Sequence, residues 1–295
     1  MPDPATLSMA LMLALAPPSI DSLRASILSR ISASPGATVG VSYRDLQTGE
    51  NLDIASDMVF HAASTMKVPV MIEVLRRAQA GSFALDQQIL VVNQFASIAD
   101  GSPYSLDIAE DSDSSLYVRI GQRVAIRELL RRMITRSSNL ATNELIELVG
   151  AKSVTQTARD LGALRISVLR GVEDQKAFDR GMINTTTSAD LAVLLEAIEK
   201  GTVLSPASSA EMRDILLAQE FKDKIPAGLP PGTRVAHKTG EITAVSHDAA
   251  VVYPEGRKPY VLVVLTKGIR ESAGSSALIA DVSRLVWTHA TRSRR

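Results

Sequence analysis

Apolar residues recur along the chain with two periods, and the switch between them marks where strands give way to helices. Ile20, Leu23, Ile27 and Ile31 fall at helical spacing, and Ser34-Pro35-Gly36 closes that helix. Thr38 to Tyr43 predicts a strand, Leu46 to Glu50 supplies turn residues, and Asn51 to Ile54 begins the return strand of a hairpin. After Ser64 the period becomes helical. Val68 to Ala80 predicts a helix with Pro69 in its first turn and Gly81 past its end. Ile126 to Thr135, Ala141 to Val149 and Ala189 to Glu199 predict three more, the last with Thr187 and Ser188 as candidate N-caps and Gly201 just beyond. Arg234 to Thr239, His247 to Tyr253 and Tyr260 to Thr266 are again rich in strand formers, and Pro254 to Arg257 makes a turn between the last two. A final amphipathic helix is expected over Ser275 to His289. Phe95 to Ser115 is acidic and serine-rich, which predicts a surface loop bordering some other feature.

Strands at both ends with helices between them predict an α+β fold: an antiparallel sheet built from both chain ends, flanked by helices, with an all-α lobe inserted. Residues 19–63 and 225–295 are expected to form the sheet lobe and 64–224 the helical lobe, together one catalytic unit with its site in the cleft between. Residues 1–18 form an extension. Within it Met9 to Ala16 is a short apolar run ending in Ala14-Leu15-Ala16, yet no Lys or Arg precedes it. A weak signal segment and a plain extension both fit that pattern.

Composition narrows the function. The chain has 295 residues, 45% hydrophobic and 22% charged, enough apolar surface to exclude disorder as its main state. Lys plus Arg and Asp plus Glu number 32 each, so the net charge is zero and a nucleic-acid partner is not expected. The only dense basic run is Arg292 to Arg295, read as a solvated tail. Cysteine is absent, which removes disulfides, thiolate metal sites and a cysteine nucleophile. The four histidines (His61, His237, His247 and His289) show no metal-binding spacing, so neither a metal nor an organic cofactor is expected. No apolar stretch approaches the roughly 20 residues of a membrane span.

Three short motifs carry chemistry. In Ser64-Thr65-Met66-Lys67 the hydroxyl and amine lie one helical turn apart on one face. A serine nucleophile needs a base, and Lys67 can serve only if burial or a nearby positive charge lowers its pKa. Ser137-Ser138-Asn139 reads by itself first as a helix cap; Ser137 can also relay a proton, and the Asn139 amide can steady Lys67 and a substrate carbonyl. His237-Lys238-Thr239-Gly240 sits on a predicted strand, with Lys238 as a positive charge acting on Lys67 and on an anionic substrate, and Gly240 permitting close backbone approach.

In this order and context the three resemble the S-x-x-K, S-D-N and K-T-G set of class A β-lactamases and penicillin-binding serine hydrolases. The resemblance covers Phe60 to Val70, Ile126 to Leu145, Arg170 to Leu195 and Lys238 to Gly268. It implies that Ser64 is the acylated nucleophile and Lys67 its base or proton relay. Ser137 would protonate the departing ring nitrogen, with Asn139 orienting Lys67 and the substrate amide. Lys238 and Thr239 would hold a substrate carboxylate, Gly240 would line the strand edge, and the backbone N–H groups of Ser64 and Glu241 would form an oxyanion hole.

Two departures matter. Ser138 stands where the second motif has Asp. The family's Arg-x-Glu-x-x-x-Asn loop, whose Glu and Asn hold the deacylating water, is matched by Arg170-Gly171-Val172-Glu173, with Glu173 one place further along. Ala177 stands where the Asn would be, and Asn184 where an acid usually closes the loop. Glu173 is then either a general base in a reshaped loop, aided by Asp174 or another polar group, or a solvated residue of a structural loop. The family's carboxylate-binding Arg is also missing, leaving His247 or Arg270 as substitutes. The implied function is a class A-like serine β-lactamase with atypical, impaired deacylation. The alternatives are a D-Ala-peptidase- or esterase-like hydrolase and a β-lactam-binding acyl-trap or sensor. The partner expected is a small β-lactam or D-Ala-like acyl substrate, the state a monomer, and the location periplasmic or secreted.

Overall fold

The computed structural model describes residues 19–292; the Met9–Ala16 segment and residues 293–295 of the basic tail lie outside it. In chain order the principal elements are α1 (Ile20–Ser32), β1 (Thr38–Asp45), β2 (Asn51–Ile54), α2 (Lys67–Gln79), α3 (Ile126–Thr135), α4 (Asn139–Val149), α5 (Ala151–Asp160), α6 (Gln175–Asp179), α7 (Ser188–Lys200), α8 (Pro206–Leu217), β3 (Arg234–Ile242), β4 (Val245–Tyr253), β5 (Tyr260–Lys267) and α9 (Ser272–Ala290).

The strands form one antiparallel sheet in the order β2-β1-β5-β4-β3. The two chain ends meet where β1 pairs with β5, from Thr38 opposite Lys267 to Asp45 opposite Tyr260. Tyr260, Leu262 and Val264 of β5 pack with Leu23 and Ile27 of α1 and Leu278, Ile279 and Val282 of α9. Val261, Val263 and Leu265 face the opposite way, into the core shared with α7 and the other central helices. Covering both faces explains why this strand is a continuous apolar run rather than an alternating one. α7 crosses the second face, its start fixed by the Thr187 side chain accepting from Asp190 N at 3.0 Å and its end by Gly201 in the left-handed region (φ 72°).

Helix α2 is the hub of the helical side. Every residue from Lys67 to Leu75 is buried, so the helix is a core element rather than an amphipathic one. Its one carboxylate, Glu73, is matched on all sides: Arg76 Nε at 2.6 Å, Arg77 Nε at 2.9 Å and the Thr157 hydroxyl of α5 at 2.6 Å. A buried charge is tolerated only with such pairing.

The periodicity does not announce α5 or α8. α5 buries only Val154, Thr157 and Ala158, a narrow apolar stripe on an otherwise polar helix. α8 does carry a start signal, Ser205 capping Ser208 N with Pro206 at the first helical position. The acidic 95–115 segment borders the site as expected, but it is not simply solvated: Ser97, Asp111 and Asp113 are buried within it, each engaged in hydrogen bonds to other parts of the chain.

Leu262 lies wholly buried between the sheet and α9. Leu262→Ala is expected to cost about 3 kcal/mol through lost burial and the cavity left behind, measured as a lower urea midpoint at unchanged slope.

Candidate active site

Ser64 lies in a single 3₁₀ turn, Ala63–Met66, and Lys67 opens α2 directly behind it. The chain enters this turn through Ala63 in the left-handed region (φ 44°). Ser64 is half-buried and Lys67 fully buried. Lys67 Nζ donates to the Ser137 carbonyl at 2.7 Å, to Asn139 Oδ1 at 2.9 Å and to Ser137 Oγ at 3.2 Å. Burial pushes its pKa down to about 7, against the opposing pull of the Asp111 and Glu173 charges. The amine is thereby poised between its protonated and basic forms near neutral pH.

Ser137 joins α3 to α4 in a left-handed conformation (φ 58°). Its hydroxyl also accepts from Lys238 Nζ at 3.0 Å, and that amine donates to the Thr239 carbonyl at 2.9 Å. Two buried amines therefore share one hydroxyl. Burial drives the Lys238 pKa well below its ordinary value, with the Lys67 charge adding to the effect. Burial, rather than the Lys238 charge expected from the motif, is the leading cause of the lowered Lys67 pKa.

β3 passes hard against the nucleophile turn. A Cβ on Gly240 would stand 3.1 Å from both Ser64 N and Thr65 N and 3.2 Å from Ala63 Cβ. A side chain here would crowd the nucleophile turn and require it to shift by a few tenths of an ångström. Glu241 follows immediately, its carboxylate taken by Lys224 Nζ at 2.9 Å and by the Ser272 hydroxyl.

The loop bearing Glu173 is held by amides. Asn184 Oδ1 accepts from Leu169 N at 2.8 Å and its Nδ2 donates to the Arg170 carbonyl at 3.0 Å, while Arg170 Nε donates to the Met182 carbonyl at 2.9 Å. Asn184 thus closes the loop on backbone where an acid would have met the guanidinium. Asn143 of α4 grips the other end, accepting from Val172 N at 2.7 Å and donating to its carbonyl at 3.1 Å.

Glu173 itself is left-handed (φ 61°) and half-buried. Asn139 Nδ2 donates to its Oε1 at 2.7 Å and Asp107 N to its Oε2 at 3.1 Å. Burial raises its pKa, partly offset by the Asn139 bond. The carboxylate is thus held by two hydrogen bonds at the edge of the cavity rather than standing free in solvent. Asp174 does not assist it. Its carboxylate is spent on Ser97 Oγ at 2.8 Å, Ile98 N at 3.0 Å and Ala177 N at 3.1 Å, capping α6 and tying the loop to the acidic segment.

Ser64, Asn139, Glu173 and Glu241 line one cavity of about 650 Å³ together with His61, Glu110, Arg170, Phe178 and Ile242. Ser137 and Lys238 are buried beside it and are linked to Asn139 through Lys67. Neither substitute for the missing Arg is suited to the part. His247 is fully buried, its Nε2 2.8 Å from the His61 carbonyl and its Nδ1 2.7 Å from the Ser246 carbonyl and 3.2 Å from Thr266 N, and burial lowers its pKa to about 4, so it stays neutral. Arg270 is exposed and does not line the cavity. The buried cation beside Glu241 is Lys224, which its two acidic neighbours keep charged against the cost of burial. Lys224, Asn143 and Asp111 went unseen in the sequence because lone polar residues carry no spacing signal.

The comparisons agree with this geometry. Beta-lactamase AST-1 of Nocardia asteroides is 30% identical over 263 residues, 88% of this chain and 81% of that protein. Among solved structures, PBP-A superposes with a TM-score of 0.80 at 30% identity, covering 93% of this chain and 98% of its own. An ancestral class A β-lactamase gives 0.78 at 28%, covering 90% and 99%. The Beta-lactamase enzyme family matches residues 22–290, and the chain belongs to that family as a serine hydrolase of the class A β-lactamase type.

Proposed function

We propose that the protein opens β-lactams through an acyl-enzyme on Ser64, with Lys67 and Ser137 moving the protons. The observation that carries this reading is the fully buried Lys67 amine, brought to about 7, three residues after Ser64 and bonded to Ser137 and Asn139. In its neutral form Lys67 takes the Ser64 proton as Oγ bonds to the lactam carbonyl carbon. The backbone N–H groups of Ser64 and Glu241 receive the oxyanion. When the C–N bond breaks, the Ser137 hydroxyl gives its proton to the ring nitrogen and receives from Lys67 the proton that Lys67 took from Ser64, while Lys238 holds the same hydroxyl. Lys238 and Thr239 are assigned to the substrate carboxylate and Asn139 to its amide. A mutant of PBP-A, similar to this chain at 30% identity and a TM-score of 0.77, is an acyl-enzyme complex with penicillin G. The reading includes a monomer acting on a small substrate outside the cytoplasm; among the described residues no helix is long and apolar enough to cross a membrane.

Deacylation falls to Glu173, which deprotonates the water that attacks the Ser64 ester as Ser64 Oγ leaves and regains a proton. The position that supplies a second water ligand in the family holds buried Ala177, capped onto Asp174. Both Glu173 oxygens already accept hydrogen bonds. Acylation should therefore outrun deacylation, and a covalent species should accumulate. Time-resolved intact mass with excess benzylpenicillin should show an adduct that clears as the drug is consumed, absent in Ser64→Ala. Glu173→Gln should slow its clearance by about 100-fold at unchanged acylation, the scale of a lost general base. An adduct that never clears would make the protein an acyl-trap, and labelling of Ser64→Ala would refute the nucleophile. No adduct with the wild type would move the search to D-Ala peptides and esters.

The rate of acylation should depend on pH through Lys67. The neutral amine is the active form, so the rate should rise with pH through a limb near 7 and level off above it. Stopped-flow acylation between pH 5 and 9 measures this. The limb should survive in Glu173→Gln; its disappearance there would assign it to the carboxylate instead.

A further inference from the structure

The second motif lacks its Asp, yet the N-terminus of α4 is not short of a carboxylate. Asp111, 28 residues earlier, accepts from Asn139 N and from Leu140 N, both at 2.9 Å, through one oxygen. Its other oxygen accepts from Asp113 N at 2.9 Å. Asp111 is buried, 7% exposed. Ser138, at the motif position, reaches a single donor, Ala141 N at 3.3 Å. The opening turn of a helix has N–H groups without intrahelical partners. Here Asp111 serves the first two and Ser138 the third, while Thr142 N returns to the Ser138 carbonyl at 3.2 Å.

The two residues after Asp111 hold the other side of the same junction. Ser112 Oγ donates to the Arg136 carbonyl at 2.8 Å. Asp113, also buried, pairs with Arg132 at 2.9 Å and Arg136 at 3.3 Å. Asp111-Ser112-Asp113 thus clasps the end of α3 and the start of α4, with left-handed Ser137 between them.

We propose that Asp111 is a positioning residue that replaces, through space, the carboxylate missing at Ser138, and that it fixes the Asn139 side chain between Lys67 and Glu173. This rests on the reading in which Asn139 serves acylation of Ser64. Asn139 must present its oxygen to Lys67 and its amide nitrogen to Glu173 at once, at 2.9 and 2.7 Å. A fork with two fixed partners is sensitive to displacements of about 0.5 Å in the backbone that carries it. The carboxylate also suits the positive end of the helix dipole, which a hydroxyl does not match.

The test compares single-turnover acylation by benzylpenicillin in three variants whose folding is checked by circular dichroism. Asp111→Asn, which keeps the shape and removes the charge, should acylate at least tenfold more slowly. Leu262→Ala, destabilised far from the site, should stay within twofold of wild type, separating positioning from loss of stability. The double variant Asp111→Ala/Ser138→Asp, which returns the carboxylate to the motif position in the space vacated, should recover to within threefold. Wild-type rates in folded Asp111→Asn would overturn the proposal, as would a folded double variant without recovery. If Asp111→Asn does not fold, the double variant decides alone. If the wild type forms no adduct, the Ser64 reading has failed separately, and a crystal structure of Asp111→Asn decides: Asn139 still bonded to Lys67 overturns the inference, Asn139 displaced supports it.

Discussion

Two lysine amines buried on either side of one serine hydroxyl set the terms for the rest of the structure. Charged amines away from water cost several kcal/mol each even after relaxation, and two of them on Ser137 Oγ repel. The economical response is to release a proton, and both amines are displaced in that direction. Lys67 also occupies the first position of α2, where the helix dipole disfavours a positive charge. The core around α2 is therefore more than support: it excludes the water that would otherwise keep Lys67 an ordinary, fully charged lysine.

Holding such a cluster requires backbone that a relaxed chain would avoid. Ala63, Ser137 and Glu173 all carry positive φ, each adjacent to or within the reacting group. Such residues cost of order 1–3 kcal/mol each and persist only where surrounding contacts over-determine them. Those contacts are visible at every point. β3 presses on the Ser64 turn through Gly240, the 111–113 clasp brackets Ser137, and Asn139 with Asp107 fixes Glu173. Strain at the site is balanced by hydrogen bonds reaching in from distant segments.

That division also explains what was legible in the sequence. The strands and the α2, α3, α4 and α7 helices could be read because each is a long apolar-rich run bounded by turn or capping residues. The three motifs could be read because each is local, with its functional atoms placed by one turn or one strand. What escaped was through-space. Asp111 substitutes for Ser138 from another segment, Asn184 replaces an acid by binding backbone, and Asn143 holds Val172 across 29 residues. Ambiguity at Glu173 was inherent too, since a loop carboxylate is solvated or buried according to a partner, Asn139, that no spacing rule relates to it. His247 misled for the converse reason: a histidine on a strand near a site looks like a ligand until its two nitrogens are seen satisfied inside the core.

The two halves of the proposed reaction rest on different foundations. Lys67, Asn139 and Lys238 sit on α2, α4 and β3, elements fixed by the core itself. Glu173 sits on a loop whose shape depends on a few side-chain amides and on Asp174, which is committed to Ser97, Ile98 and Ala177. Within that loop Glu173 itself takes a left-handed conformation. Asn139 is the single side chain common to both halves, touching Lys67 with one end and Glu173 with the other. Displacing that one amide disturbs both steps together, whereas remodelling the loop disturbs only the second.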